Sequence, residues 1–98
     1  MLFITEYRVR PGTSYEDTKR NLAIFGAWTP PDGFEFKAHY FLADGSGGTA
    51  IVECDSAAVM LEALTPFNDV LEFKPIPAVD VAEGVGVMQK VIAWRDAL

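Results

Sequence analysis

Two residues of this chain that could do acid-base chemistry lie on neighbouring predicted strands. His39, the single histidine, falls in an apolar run at 34–42, and Glu53 falls in a second run at 49–54. The segment between the runs, 44–48, has the Asp-Gly-Ser-Gly-Gly composition of a hairpin turn. In the simplest register of that hairpin, His39 faces Glu53. A carboxylate next to an imidazole fixes its tautomer and raises its basicity, which suits proton abstraction near neutral pH.

The same predicted sheet face carries other side chains that would surround this pair. We therefore predict His39 and Glu53 as catalytic residues, with a substrate-binding set made of Glu6, Arg8, Lys37, Phe41, Ile51 and Trp28. The alternative is a cross-strand polar pair that only sets the register or bridges a dimer, since such pairs are common and contribute about 1 kcal/mol or less. The pairing depends on the register, because a slip by one residue would turn His39 toward the helices.

No metal ion and no cofactor is predicted. With one histidine and no motif of ligand spacing, a metal site would need His39, Glu53 and Glu6 to converge. Cys54 is the single cysteine, so the chain has no internal disulfide, and its two acidic neighbours disfavour a thiolate. The glycine-rich turn joins two strands and does not precede a helix, so it lacks the geometry of a phosphate site.

Hydrophobic periodicity predicts the elements that position these residues. We expect strands at 2–10, 34–42, 49–54 and 70–77 and helices at 14–28 and 57–64. Thr13 and Glu16 have capping-box spacing at the first helix, and Asp55 or Ser56 can cap the second. Pro75 in the last strand favours an edge position. This order predicts a ferredoxin-like α+β fold, βαββαβ, with a four-stranded antiparallel sheet and both helices on one face.

The remaining segment, 80–98, is predicted to be a helical tail outside the domain at 1–79. Its apolar residues recur at near-helical spacing, but Gly84 and Gly86 each cost about 1 kcal/mol in a helix interior. We therefore expect a firm helix only from Val85 onward, packed either on its own domain or on a partner subunit.

Several short motifs resemble a known group of small bacterial proteins, grouped as a domain of unknown function. They are Met1-Leu2-Phe3, Arg10-Pro11-Gly12, Pro31-x-Gly33, Glu53-Cys54-Asp55 and the segment from Val70 through Phe73 to Pro75. The resemblance covers residues 1–79 and implies a dimeric α/β barrel, in which two ferredoxin-like sheets close face to face around a cavity. Related barrels include cofactor-free monooxygenases, lactone isomerases, polyketide cyclases and haem-degrading enzymes.

The length and charge of the chain limit the kinds of partner that it is expected to bind. A chain of 98 residues, half of them apolar or aromatic, forms one small domain whose leftover hydrophobic surface often meets a second copy, so we expect a homodimer. A net charge of −6 with scattered cations argues against nucleic acid. No apolar run approaches the roughly 20 residues of a membrane helix, and the first residues do not read as a signal peptide, so we expect no membrane contact and a cytoplasmic location.

Two functions are consistent with the sequence. The first is a homodimeric α/β barrel that binds a small, partly apolar molecule, with His39 and Glu53 as acid-base residues of an isomerase, cyclase or cofactor-independent oxygenase. The second is a noncatalytic dimeric module for interaction or assembly, whose tail clasps its partner. An enclosed cavity reached by His39 favours the first, and a filled interface favours the second.

Overall fold

The computed structural model describes all 98 residues, Met1–Leu98, in the order βαββαβα. The strands are β1 (Leu2–Val9), β2 (Phe34–Phe41), β3 (Gly47–Cys54) and β4 (Leu71–Ala78). The helices are α1 (Tyr15–Ala27), α2 (Ala57–Leu64) and α3 (Val81–Asp96), and a 3-10 turn at Thr65–Phe67 follows α2. The strands form one antiparallel sheet in the order β2-β3-β1-β4. This arrangement is compatible with the predicted ferredoxin-like α+β fold, and β4 lies at an edge as its prolines require.

Local capping sets where the first two helices begin. Ser14 caps α1, and its side chain and that of Asp17 each accept a hydrogen bond from the other's backbone N–H. The predicted capping box at Thr13 was therefore wrong by one residue, because the Thr13 hydroxyl instead donates to the carbonyl of Arg10 at 2.7 Å. Ser56 caps α2, which is one of the two residues that the sequence predicted.

The hydrophobic core lies where α2 covers the sheet. It contains Phe3 from β1, Val52 from β3, and Met60 and Ala63 from α2. In contrast, α1 has no fully buried residue, although it lies over the same face of the sheet. We call this helix-covered side the inner face and the opposite side, which no helix covers, the open face.

A β-bulge interrupts the hairpin of β2 and β3. Phe36 pairs with Val52, but the next paired position joins Ala38 to Ile51, so Lys37 has no partner on β3. One extra residue in β2 reverses the side-chain alternation for the rest of that strand.

The observed hairpin register corrects the predicted pairing of histidine and glutamate. His39 lies opposite Ala50, and Glu53 lies opposite Glu35, so the predicted His39–Glu53 pair was wrong on both sides of the bulge. Because of the bulge, His39 points to the inner face, whereas Glu53 points to the open face. For the same reason Tyr40, which uninterrupted alternation along β2 would place on the inner face, lies on the open face and is 69% exposed.

The C-terminal helix projects away from the domain. It begins at Val81, earlier than predicted, because Asp80 caps it by accepting from the N–H of Ala82 at 3.0 Å. None of its residues is buried, and the molecule measures 60 Å along its longest axis against 29 and 20 Å along the others. None of the helices combines the length and the apolar composition that crossing a membrane requires.

Candidate functional site

A cavity of about 380 Å³ lies between α1 and the inner face of the sheet. We call it the inner pocket. Its wall comprises 25 residues, of which 19 are hydrophobic, and no Asp, Glu, Lys or Arg is among them. The volume is within the range of small-molecule sites, which are usually mostly apolar with a few polar groups.

A small residue on β3 and large residues on α1 together create this space. On the inner face, β3 presents Ala50 to the pocket, where a larger side chain would fill part of the gap. Leu22 and Phe25 of α1 line the pocket but remain 57% and 41% exposed. The helix therefore roofs the pocket without closing it.

One polar pair interrupts the apolar wall. Nε2 of His39 lies 2.7 Å from the hydroxyl oxygen of Tyr7, a hydrogen bond in which the tautomer of the imidazole decides which group donates. The imidazole stacks on Phe36, with ring centroids 4.8 Å apart and planes 12° from parallel. Phe41 and Phe25 approach it edge-on. His39 is thus held on several sides by aromatic rings.

A glycine on β3 makes room for Tyr7. Gly48 is the direct neighbour of Tyr7 on β1 and of Phe41 on β2. A Cβ at this position would collide with the Tyr7 hydroxyl and the backbone carbonyl of Tyr40. The phenol can therefore lie across β3 toward His39 only because residue 48 has no side chain.

Partial burial keeps both members of the pair uncharged. It raises the pKa of Tyr7 above its usual value and lowers the pKa of His39 below its usual value, since desolvation penalises the charged form of each. At neutral pH the inner pocket therefore contains a neutral imidazole and a neutral phenol. Such a pair can accept and donate hydrogen bonds and can take up a proton at His39.

Two further polar atoms are buried without a hydrogen-bond partner, the Thr5 hydroxyl oxygen and Oδ1 of Asn21. Both residues line the inner pocket, Thr5 from β1 and Asn21 from α1. Unpartnered buried polar atoms are rare in folded proteins, so they mark polar positions of the pocket wall.

The structure divides the predicted site residues between the two faces of the sheet. His39, Phe41 and Trp28 line the inner pocket. The others do not: Glu6, Arg8, Ile51 and Glu53 lie on the open face, and Lys37 is exposed at the bulge, with Nζ 3.4 Å from a carboxylate oxygen of Glu35.

Reasoning from the sequence missed Tyr7 as a site residue. Period-two alternation along β1 places Tyr7 on the inner face, as observed, but alternation alone does not distinguish a filled core from a pocket. The available signal was Gly48, because a glycine inside a strand often marks close approach by a neighbouring group. The sequence predicts Gly48 in the hairpin turn at 44–48, whereas β3 begins at Gly47.

No group of three or more His, Cys, Asp or Glu side chains converges in a way that could hold a metal ion. The free thiol of Cys54 is buried in the core, where Sγ lies 3.3 Å from the carbonyl of Ser56.

The sequence profile of DUF3303, a domain of unknown function, matches residues 1–92. The chain belongs to the DUF3303 family. The DUF3303 match extends past residue 79, where the predicted resemblance ended, and includes most of α3. No curated protein and no solved structure matches this chain.

Proposed function

We propose that this DUF3303 protein binds a small, uncharged, largely apolar molecule in the inner pocket. The observation that carries the proposal is the His39–Tyr7 hydrogen bond in the wall of an otherwise apolar cavity of about 380 Å³. A charged ligand would find no side chain of opposite charge there, and burying an unpaired charge is costly. The aromatic rings around His39 favour a flat ligand that can stack on them.

The polar groups define what such a ligand should carry. One hydroxyl or carbonyl group could replace part of the Tyr7–His39 hydrogen bond, and a donor near α1 could satisfy Asn21 Oδ1. Each net hydrogen bond of this kind contributes about 1 kcal/mol. The ligand class is therefore a phenol, ketone or lactone of modest size.

The same geometry also supports acid-base catalysis, with Tyr7 instead of Glu53 as the hydrogen-bond partner of His39. His39 is unprotonated at neutral pH and can accept a proton, while Tyr7, in place of Glu53, orients its Nε2. Proton removal of this kind begins isomerisations, cyclisations and cofactor-independent oxygenations. In this form of the proposal His39 is the base, and no cofactor is needed.

Isothermal titration calorimetry with two matched probes tests the binding proposal. The first, 4-propylphenol, is uncharged at pH 7, and the second, 4-propylbenzoate, carries a negative charge. We expect saturable binding of the phenol and affinity at least about 10-fold weaker for the benzoate, because its carboxylate would be buried unpaired.

Two tyrosine variants locate the binding. Tyr7→Phe removes the pocket hydroxyl and should weaken phenol binding about 5-fold, the effect of one lost hydrogen bond. Tyr40→Phe makes the same change on the open face and should leave the affinity unchanged. Equal affinities for the two variants, or equal binding of both probes, would contradict the proposal.

The second candidate function is a noncatalytic dimeric assembly module, and α3 favours it. Seven large apolar side chains of α3 are exposed to solvent: Val81, Val85, Val87, Met88, Val91, Ile92 and Trp94. A helix that is apolar on several sides normally packs against other elements. We therefore propose that the protein is a homodimer under either function. A pure assembly module would self-associate and bind neither probe.

A further inference from the structure

Three isoleucines form a continuous row across the open face. The strand register places Ile4 of β1 directly between Ile51 of β3 and Ile76 of β4. Their side chains are 40%, 36% and 54% exposed, in that order. We call this row the isoleucine stripe. It runs across three adjacent strands, roughly perpendicular to them.

Charged residues border the stripe on the open face. Glu6 lies two residues beyond Ile4 on β1, opposite Lys74 of β4. The next open-face pair is Arg8 opposite Glu72. An apolar row with a charged border is typical of a surface that contacts protein, since scattered exposed apolar residues would not align in register.

Helix α3 carries two apolar rows of its own. With 3.6 residues per turn, Val81, Val85, Met88 and Ile92 share one side, and Val87, Val91 and Trp94 share a second side about a third of a turn away. Glu83 and Lys90 lie on the polar side. A helix with two apolar sides requires two surfaces to cover them.

Helix α3 is long enough to cross the whole stripe. A helix of 16 residues is about 24 Å long, whereas the three strands of the stripe, spaced about 4.8 Å apart, span about 10 Å. Only Val79 and Asp80 separate α3 from β4, and α3 leads away from its own domain with no buried residue. It therefore leaves its own stripe uncovered.

We propose that α3 of one copy lies across the isoleucine stripe of a second copy, and that the two α3 helices contact each other between the two sheets. This deepens the homodimer proposed above and rests on it. A two-fold arrangement covers both apolar sides of α3, one with the partner's stripe and the other with the partner's α3. An unrelated partner that covered only the stripe would leave both sides of α3 exposed.

Measurement of molar mass by size-exclusion chromatography with light scattering tests the contact. We expect the wild-type chain at twice its monomer mass. Ile92→Glu on α3 and Ile76→Glu on the stripe should each weaken the dimer about 100-fold, because each buries a charge. Both residues are 54% exposed in the single chain, so far-UV circular dichroism should show an unchanged fold. Gln89→Glu, which adds the same charge outside the two apolar rows, is the matched control and should remain dimeric.

Mixing two monomeric variants distinguishes the proposed exchange, in which α3 of each copy lies on the stripe of the other, from other arrangements of the dimer. In a pair made of one Ile92→Lys copy and one Ile76→Glu copy, one α3 and one stripe are both native and can meet. The second contact places the new lysine near the new glutamate. We expect dimers in this mixture although neither variant forms them alone.

Each other outcome overturns the inference in a recognisable way. If Ile76→Glu abolishes the dimer while Ile92→Glu leaves it intact, the open faces meet directly, as in a closed barrel, and the homodimer stands without the exchange. Loss of the dimer in both variants with no recovery in the mixture also overturns the exchange. A wild-type chain at monomer mass overturns the homodimer itself.

Discussion

The chemistry available at the inner pocket depends on a neutral imidazole held against a neutral phenol. His39 is stacked on Phe36 and hydrogen-bonded to Tyr7, with no carboxylate lining the pocket. A carboxylate partner would favour the protonated imidazole, whereas these aromatic surroundings favour the neutral form. The residue is therefore suited to accept a proton or a hydrogen bond at neutral pH, which agrees with an uncharged ligand.

Acid should destabilise the fold through His39. Burial lowers its folded pKa below the unfolded value of about 6.5, so between the two values the unfolded chain binds more protons. The free energy of unfolding should therefore rise with pH through that window and level off above about pH 6.5. Urea unfolding at pH 5.5 and 7.5 measures the difference.

The variant His39→Gln is the control for this pH dependence. It should reduce the difference in unfolding free energy between pH 5.5 and 7.5. The lowered pKa values of Asp17 and Asp44 affect stability only at lower pH, since their carboxyls stay ionised above about pH 4. An undiminished difference in the variant would assign the effect to another group.

The position of Tyr7 in the pocket should require a glycine at residue 48. Gly48→Ala places a methyl group against the Tyr7 hydroxyl and should cost about 1–3 kcal/mol, the usual penalty of overpacking. Gly86→Ala is the comparison, because its Cβ meets nothing within 4 Å and alanine favours a helix by about 0.5–1 kcal/mol. Chemical unfolding of both variants should show opposite signs, and a stabilising Gly48→Ala would refute the close packing.

At the scale of the elements, the bulge in β2 decides which side chains reach the pocket. It places His39 and Phe41 on the inner face and Tyr40 on the open face. The two neighbours of Lys37, Phe36 and Ala38, pair with consecutive residues of β3. Lys37 is therefore the extra residue of the bulge. A chain without Lys37 could therefore keep the same strand pairs on both sides of the bulge.

Deleting Lys37 should leave the register of β2 and β3 intact. We expect a cost of about 1 kcal/mol or less and retained binding of 4-propylphenol, because every other residue keeps its face. Deleting Tyr40 has the opposite effect, since it turns Phe41 to the open face, and it should cost about 2 kcal/mol or more. Thermal unfolding compares the two, and equal losses would contradict the bulge.

At the scale of the whole molecule, one small core leaves two surfaces incompletely covered. The core packs under α2, while the pocket opens under α1 and the isoleucine stripe lies bare on the other side. A domain of this size cannot bury all its apolar surface alone. The two proposals concern these two surfaces separately: a small molecule in the pocket and a second copy of the chain on the stripe.

If the chain forms a dimer, its Tm should depend on protein concentration. If unfolding is coupled to dissociation, a tenfold rise in protein concentration stabilises the dimer by about 1.4 kcal/mol, which raises Tm by about 3 °C for roughly 200 residues. Calorimetry at several concentrations measures this slope. Ile92→Glu should abolish it, and a wild-type Tm independent of concentration would argue against an obligate dimer.

The sequence by itself determined the order of the elements, the antiparallel sheet and the edge position of β4. These features follow from local rules: alternation within each strand, the cap at Ser56, and the inability of Pro75 and Pro77 to donate backbone hydrogen bonds. The inner-face placement of Tyr7 and Phe36 was also predictable, because alternation is reliable until a bulge intervenes.

Only the tertiary structure decided which face His39 occupies and that a pocket lies under α1. The bulge at Lys37 has no local signature, since its place depends on how all of β2 fits against β3, and a single extra residue reverses the faces of everything after it. The pocket depends on how far α1 stands from Ala50 of β3, and these two elements are remote in sequence. Residue types therefore identified His39 correctly as a group of interest, but the neighbours that set its chemistry came from the packing of the sheet.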